Sequence, residues 1–164
     1  MPCRIPAPAR SARKTCAISS GNTGWRVEMP YVDPDPENWA IFKALPRDTP
    51  MHMLNLVRYR DRAEYPQGHP SATLGWSGER AYREYIERLL PFLAGLGAGL
   101  SWDGTFECVV TGPKPFEWDK VFVMRFPDSR AFFAMITAPE YKADIVPHRT
   151  AAVLDSRLVR YGGA

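Results

Sequence analysis

The side chains able to do chemistry in this chain are few and far apart in sequence. His52, His69 and His148 are its histidines, and imidazole is the group whose ordinary pKa suits proton transfer near neutrality. No two of them stand at HxH or HxxxH spacing, and Cys3, Cys16 and Cys108 form no metal-ligand pattern. No metal is therefore expected, and no haem ligand is identified. His148 falls near the apolar stripe of Tyr141, Ile145 and Ala152, where a lone histidine more often packs than reacts. With no partnered carboxylate or nucleophile at fixed spacing, general acid or base work by His148 competes with a structural role, and it is the one proton carrier on offer.

Asn55 poses a different question. It sits in the middle of MHMLNLVRYR, Met51 to Arg60, which reads as a buried strand, and a buried amide costs free energy unless something bonds it. Alternation puts Met51, Met53, Asn55, Val57 and Tyr59 on one face and His52, Leu54, Leu56 and Arg58 on the other. Leu54 and Leu56 suit a helix layer, which points Asn55 away from the helices, beside Tyr59 and facing Val123 and Arg125 of a later strand. Asn55 is then either a pocket wall or a device that fixes register through a neighbour or a buried water. As a pocket, Asn55 would orient a ligand, Arg58 or Arg125 would balance its charge, and Tyr59 and Trp76 would contact its apolar part. His69 and Trp76 lie in AEYPQGHPSATLGW, a loop long enough to be a lid or simply a solvated connection. Asp155 with Arg149 or Arg157 reads as a structural ion pair at a helix-to-strand junction.

The elements that must position these residues follow from punctuation and period. Asp35 and Pro36 open a short helix carrying Trp39, Phe42 and Leu45. Met51 to Tyr59 is the first strand. Ser77 caps a helix whose Tyr82, Tyr85, Ile86, Leu89, Phe92, Leu93 and Leu96 form one stripe, with Arg80, Glu84 and Arg88 on a solvated face. Pro91 kinks its last turns, and Gly95, Gly97 and Gly99 release the chain. A second strand covers roughly 100–111, broken or turned near Asp103-Gly104, and KVFVMRF is the third, with Phe122, Met124 and Phe126 toward the helices. Pro127, Asp128 and Ser129 start a further helix; Thr137 and Glu140 match a capping box opening the next, which Pro147 bends. SRLVRY closes as the fourth strand. The order β-α-β-β-α-β after a leading helix predicts an α+β, ferredoxin-like sandwich. One sheet face is left uncovered, and a twofold-related copy is the simplest cover.

Composition bounds the rest. A chain of 164 residues with 45% apolar content can bury a core as one domain without staples. Residues 1–28 hold five basic residues against Glu28, a net +4; with few periodic apolar residues they read as a disordered tail or a start assigned upstream of Met29. The domain at 29–164 is then left at −1, without the basic stripe that nucleic acid requires. No apolar run approaches a bilayer span, so neither membrane nor export is expected. An odd number of cysteines suits a reducing, cytoplasmic setting.

MLNLVRYRDRAEYP, WDKVFVMRFPDSRAFFAMITAPEYK and HRTAAVLDSRLVR together resemble the domain of unknown function 1330 family, over nearly all of Tyr31 to Arg160. The resemblance implies the dimeric α/β-barrel superfamily, in which two ferredoxin-like sheets pair into a barrel, hence a homodimer with one pocket per subunit. Branches of that superfamily include cofactor-independent monooxygenases, muconolactone isomerases and haem peroxidases, so the fold selects no chemistry, and the family brings no established activity or cofactor. Arg125 stands where the family more often looks acidic, which implies an altered pocket charge. Two functions are expected in parallel. One is a dimeric, enzyme-like protein binding a small anionic or phenolic metabolite without a cofactor, with turnover left open. The other is a non-catalytic dimeric binding or regulatory module whose barrel is filled.

Overall fold

The computed structural model describes residues 31–112, 116 and 118–162. The expectations for the tail, Cys3 and Cys16 lie outside the described residues. After helix α1 (Pro36–Ala44) come strand β1 (Met51–Tyr59), helix α2 (Gly78–Gly95), strands β2 (Gly99–Gly104) and β3 (Lys120–Phe126), helix α3 (Ser129–Thr137), helix α4 (Val146–Ala152) and strand β4 (Val153–Gly162). The strands form one sheet in the order β2-β3-β1-β4, with each neighbouring pair antiparallel. That order with two crossover helices is the ferredoxin-like α+β arrangement.

Local chemistry accounts for most boundaries. The Asp35 carboxylate accepts from the amides of Glu37 and Asn38, with Pro36 at the first helical position of α1. Ser77 caps α2 through Arg80 N, and Asp128 caps α3 through Ala131 N. Three expectations need correction. The second strand ends at Gly104, so 105–111 carries no strand. Thr137 does not cap the next segment: its hydroxyl donates back to Phe133 O at 2.7 Å, the i−4 bond open to a threonine in the last turn of a helix. The chain then makes a π-helical turn at Tyr141–Ile145 before α4, whose first turn takes Pro147.

One face of the sheet is buried under the helices and one is not. Met51, Met53, Val57, Phe122, Met124 and Phe126 pack with Tyr82, Tyr85, Leu89 and Leu93 of α2 and with Phe132 and Met135 of α3. α1 lies across this layer, where Trp39 and Phe42 meet Phe132 and Phe133 at ring separations of 5.3–5.8 Å, and none of its residues is fully buried. The opposite face carries Leu54, Leu56, Val121, Val123 and Val159, with Trp102 on the edge strand 54% exposed. The expectation that Leu54 and Leu56 meet the helices is therefore inverted. Both faces of β1 are apolar, and the deciding factor is register: Asn55 pairs with Phe122, while Leu54 pairs with Val123. Among the described residues no helix is long and apolar enough to cross a membrane.

Candidate functional site

A cavity of about 570 Å³ opens between the sheet and the helices. Its floor is the covered sheet face, with Met53 and Asn55 of β1, Phe122 and Met124 of β3, and Leu158 and Arg160 of β4. Trp39 and Phe42 of α1, Tyr85 and Leu89 of α2, Met135 of α3, Tyr141 of the π-helical turn and Arg149 of α4 form its walls and roof. This size falls within the range of small-molecule pockets, and the lining combines apolar side chains with polar and charged ones in comparable measure.

The wall at one end is sewn in place by β4. Tyr31 N donates to Asp155 Oδ1 at 2.7 Å, and Ser156 N and Oγ both donate to Tyr31 O. Arg149 donates to Val32 O at 3.0 Å and to Ser156 Oγ at 3.3 Å. The segment leading into α1 is thus fastened along the outer edge of β4, and α1 is laid over the cavity from there. Arg157 pairs with Asp155 at 2.6 Å and stacks its guanidinium over Tyr31 and Trp118. Of the two arginines considered for Asp155, Arg157 is the ion-pair partner, while Arg149 is held by the carbonyl and the serine.

Asn55 lines the cavity, but on the helix side rather than away from the helices. Its Nδ2 donates to Met53 O at 2.8 Å. The expected neighbours are not beside it. Arg58 and Arg125 lie on the uncovered face, where Arg125 is exposed, and Tyr59 packs on Tyr82 at 5.3 Å away from the cavity. Burial first, and then the Asp119 carboxylate, push the Tyr59 phenol well up; burial does the same for Tyr85. These phenols stay protonated and can donate hydrogen bonds, not act as bases. Two residues that sequence reasoning passed over complete the site. Arg160 lines the cavity from β4, opposite Met53, and Tyr141 lines it from the π-helical turn. The signal for Arg160 was the alternation Ser156, Leu158, Arg160, which places it on the same face as Leu158.

The remaining candidates form a separate cluster where the long loop folds onto α4. His148 is 3% exposed, and its Nδ1 shares a 2.7 Å hydrogen bond with the Tyr65 hydroxyl. His69 stacks on Tyr65 at 4.6 Å and meets His148 edge-on at 5.4 Å, with Trp76 at 6.4 Å from the His148 ring. His69 Nδ1 accepts from Ser71 N, capping the short turn at Pro70–Thr73. So His69 and Trp76 close over His148, not over the cavity. Arg80 stacks on Trp76 at 4.5 Å and, with Arg88, grips Glu84 at 2.9 Å. Glu84 is accordingly only 15% exposed in its side chain, so this part of α2 is not the plain solvated face expected of it. Burial, then the Arg88 charge, hold the His148 imidazole below its ordinary value, with Glu84 opposing them. The ring is neutral at physiological pH and packed, which suits anchoring the loop to α4. His52 sits on the other face of the sheet, so the three histidines do not converge.

The comparisons with known proteins can be set against this geometry. No protein-family model and no curated protein matches the chain. A crystal structure of the methylated RPA0582 protein superposes with a TM-score of 0.73 at 41% identity, covering 84% of this chain and 97% of that one. A second crystal structure, of RPA0582 from Rhodopseudomonas palustris, described as a protein of unknown function, gives a TM-score of 0.72 at 41% identity over 82% of this chain and 98% of that one. A dimeric ferredoxin-like protein of unknown function from Bacteroides fragilis aligns at 13% identity with a TM-score of 0.42, over 72% of this chain and 100% of that one.

Proposed function

This chain belongs to the family of RPA0582 from Rhodopseudomonas palustris, and on that premise we propose that it binds a small, largely apolar metabolite in the cavity between α1 and the sheet. The observation that carries this reading is the cavity itself: about 570 Å³ opens over the covered sheet face, where Asn55 stands among Met53, Phe122 and Met124 with its amide nitrogen taken by its own strand. A core built only for stability fills such space, because a void forfeits the contacts of every side chain around it. Asn55 orients the ligand. Tyr59, Arg58, Arg125, His69 and Trp76 take no part in this cavity, and His148 anchors the loop instead of moving protons. The reading is therefore a binding protein, with turnover resting on groups the ligand itself brings.

The chain is further proposed to act in the cytoplasm as a homodimer through the uncovered sheet face, and its family to be that of domain of unknown function 1330. The apolar centre at Leu54, Leu56, Val121 and Val123 supports the homodimer, and the motifs MLNL and FPDSRAF support the family. Native mass spectrometry of the full chain purified from cells tests the binding reading. A dimer carrying a co-purified small molecule, lost in Asn55→Leu, is expected. A wild-type chain that holds no small molecule, and takes none up from a cell metabolite extract, would contradict it.

A further inference from the structure

The three rings of the long loop, Tyr65, His69 and Trp76, converge on one side chain of α4. Tyr65 bonds His148 Nδ1 at 2.7 Å, with its ring 5.5 Å away; His69 stands edge-on at 5.4 Å and Trp76 lies at 6.4 Å. The loop's other attachments are of a different kind. Arg60 N and Glu64 N donate to Ala152 O and Ala151 O, and Ala63 N donates to Trp76 O, so backbone bonds hold the neck. Beyond the neck the backbone bonds stay inside the loop: His69 N to Pro66 O, Ala72 N to His69 O, and Leu74 N to Ser71 O. The neck does not titrate, whereas the hub on which the rest of the loop docks is an imidazole.

A charge on that hub is badly placed. Arg80 and Arg88 act on it from α2, with Glu84 gripped between them at 2.9 Å. His69 stands beside it from the loop, whose Glu64 is paired with Arg60 at 3.0 Å. On α4 itself Arg149 is turned to Val32 O and Ser156 Oγ, and the π-helical turn carries Lys142 and Asp144, both exposed. Burial, then Arg88, disfavour the imidazolium; His69 and Arg80 add to this, and Glu84 works against it.

We propose that the loop is an acid-released flap, closed on α4 while His148 is neutral and lifted when the ring takes a proton. The neck stays shut, which confines the movement to residues 65–75 and bares the His148 side of α4. The sign follows from linkage. The closed state binds the proton less readily than the open one, whose imidazole returns to its ordinary value of 6.5. The opening constant is then flat above that pH and rises by up to about ten-fold per pH unit below it, until the closed ring's own lowered pKa is reached.

Nuclear magnetic resonance of the full chain between about pH 7.5 and 4.5 reads both events. The ring signals of His148 should titrate with a midpoint below 6.5, and the indole signal of Trp76, assigned with Trp76→Phe, should move with that midpoint while amides of β1 and β3 hold. His148→Gln, which can accept from Tyr65 but takes no proton, should flatten the Trp76 response. Arg88→Gln, an exposed change that removes the largest opposing charge, should raise the His148 and Trp76 midpoints together. A Trp76 signal that ignores the His148 midpoint, or moves at the same pH in His148→Gln, overturns the flap. So does loss of the β1 and β3 amides at that midpoint, which would make the event global unfolding.

Discussion

Gly78→Ala should destabilise the fold by on the order of 3 kcal/mol, the upper range for forcing extra atoms into a closed contact. A Cβ at this position would lie 2.3 Å from Arg60 O, 2.7 Å from Ala152 O and 2.8 Å from Arg60 N. All three are backbone atoms, so no side chain can swing aside. The same close approach holds three elements together: Gly78 N donates to Arg60 O, and Arg60 N donates to Ala152 O. The start of α2, the exit of β1 and the end of α4 meet there, next to Ser77 and Trp76. The sign makes this diagnostic, because exchanging glycine for alanine within a helix otherwise gains roughly 0.5–1 kcal/mol. Urea unfolding followed by circular dichroism reads it directly. A variant as stable as the wild type would mean that the junction is looser than its distances imply.

Leu54→Glu should convert the proposed dimer to monomer, raising its dissociation constant by at least ~100-fold, the scale of burying an unpaired carboxylate at an interface. Leu54 lies at the middle of the uncovered face, flanked by Val123 on β3 and Val159 on β4. Val159 is 40% exposed on a single chain, and an isolated sheet face of this composition is an aggregation hazard unless covered. Because Leu54 is outside the helix-covered core, the substitution should leave the protomer folded, which circular dichroism checks. Light scattering at tens of micromolar should give a dimeric mass for the wild type and a monomeric mass for the variant. A monomeric wild type, or a variant that stays dimeric, would remove the case for this face as the interface.

The architecture was legible because several local signals agreed. Asp35, Ser77 and Asp128 each stand where a cap is needed, and Met51–Tyr59 and Lys120–Phe126 are bounded by turn residues and charge. In β3 the alternation of phenylalanine and methionine against valine and arginine assigned the faces correctly. In β1 it could not, since methionine and valine on one side are no more apolar than leucine on the other. Only pairing resolved the question, and pairing is a long-range property. Hence the sequence picked out Asn55 as the polar residue of interest but put it beside the wrong arginine. Arg125 is separated from it by the sheet itself, while Arg160, on the last strand and diagonal to it, lines the same cavity. The link between Tyr65 and His148 spans 83 residues, and no spacing rule reaches that far. The lid role imagined for His69 and Trp76 failed for the same reason: composition marks a loop as able to cover something without saying what.

A small molecule bound in the helix-side cavity over Asn55 would lie against three methionine side chains. Methyl-labelled methionine spectra test its presence there most directly, because Met53, Met124 and Met135 line the cavity while Met51, fully buried on the same sheet face, does not. On titration with the small-molecule fraction of a cell extract, the methyl signals of Met53, Met124 and Met135 should shift together while that of Met51 stays. A bound molecule that leaves those three signals unmoved would place the ligand elsewhere and contradict the account.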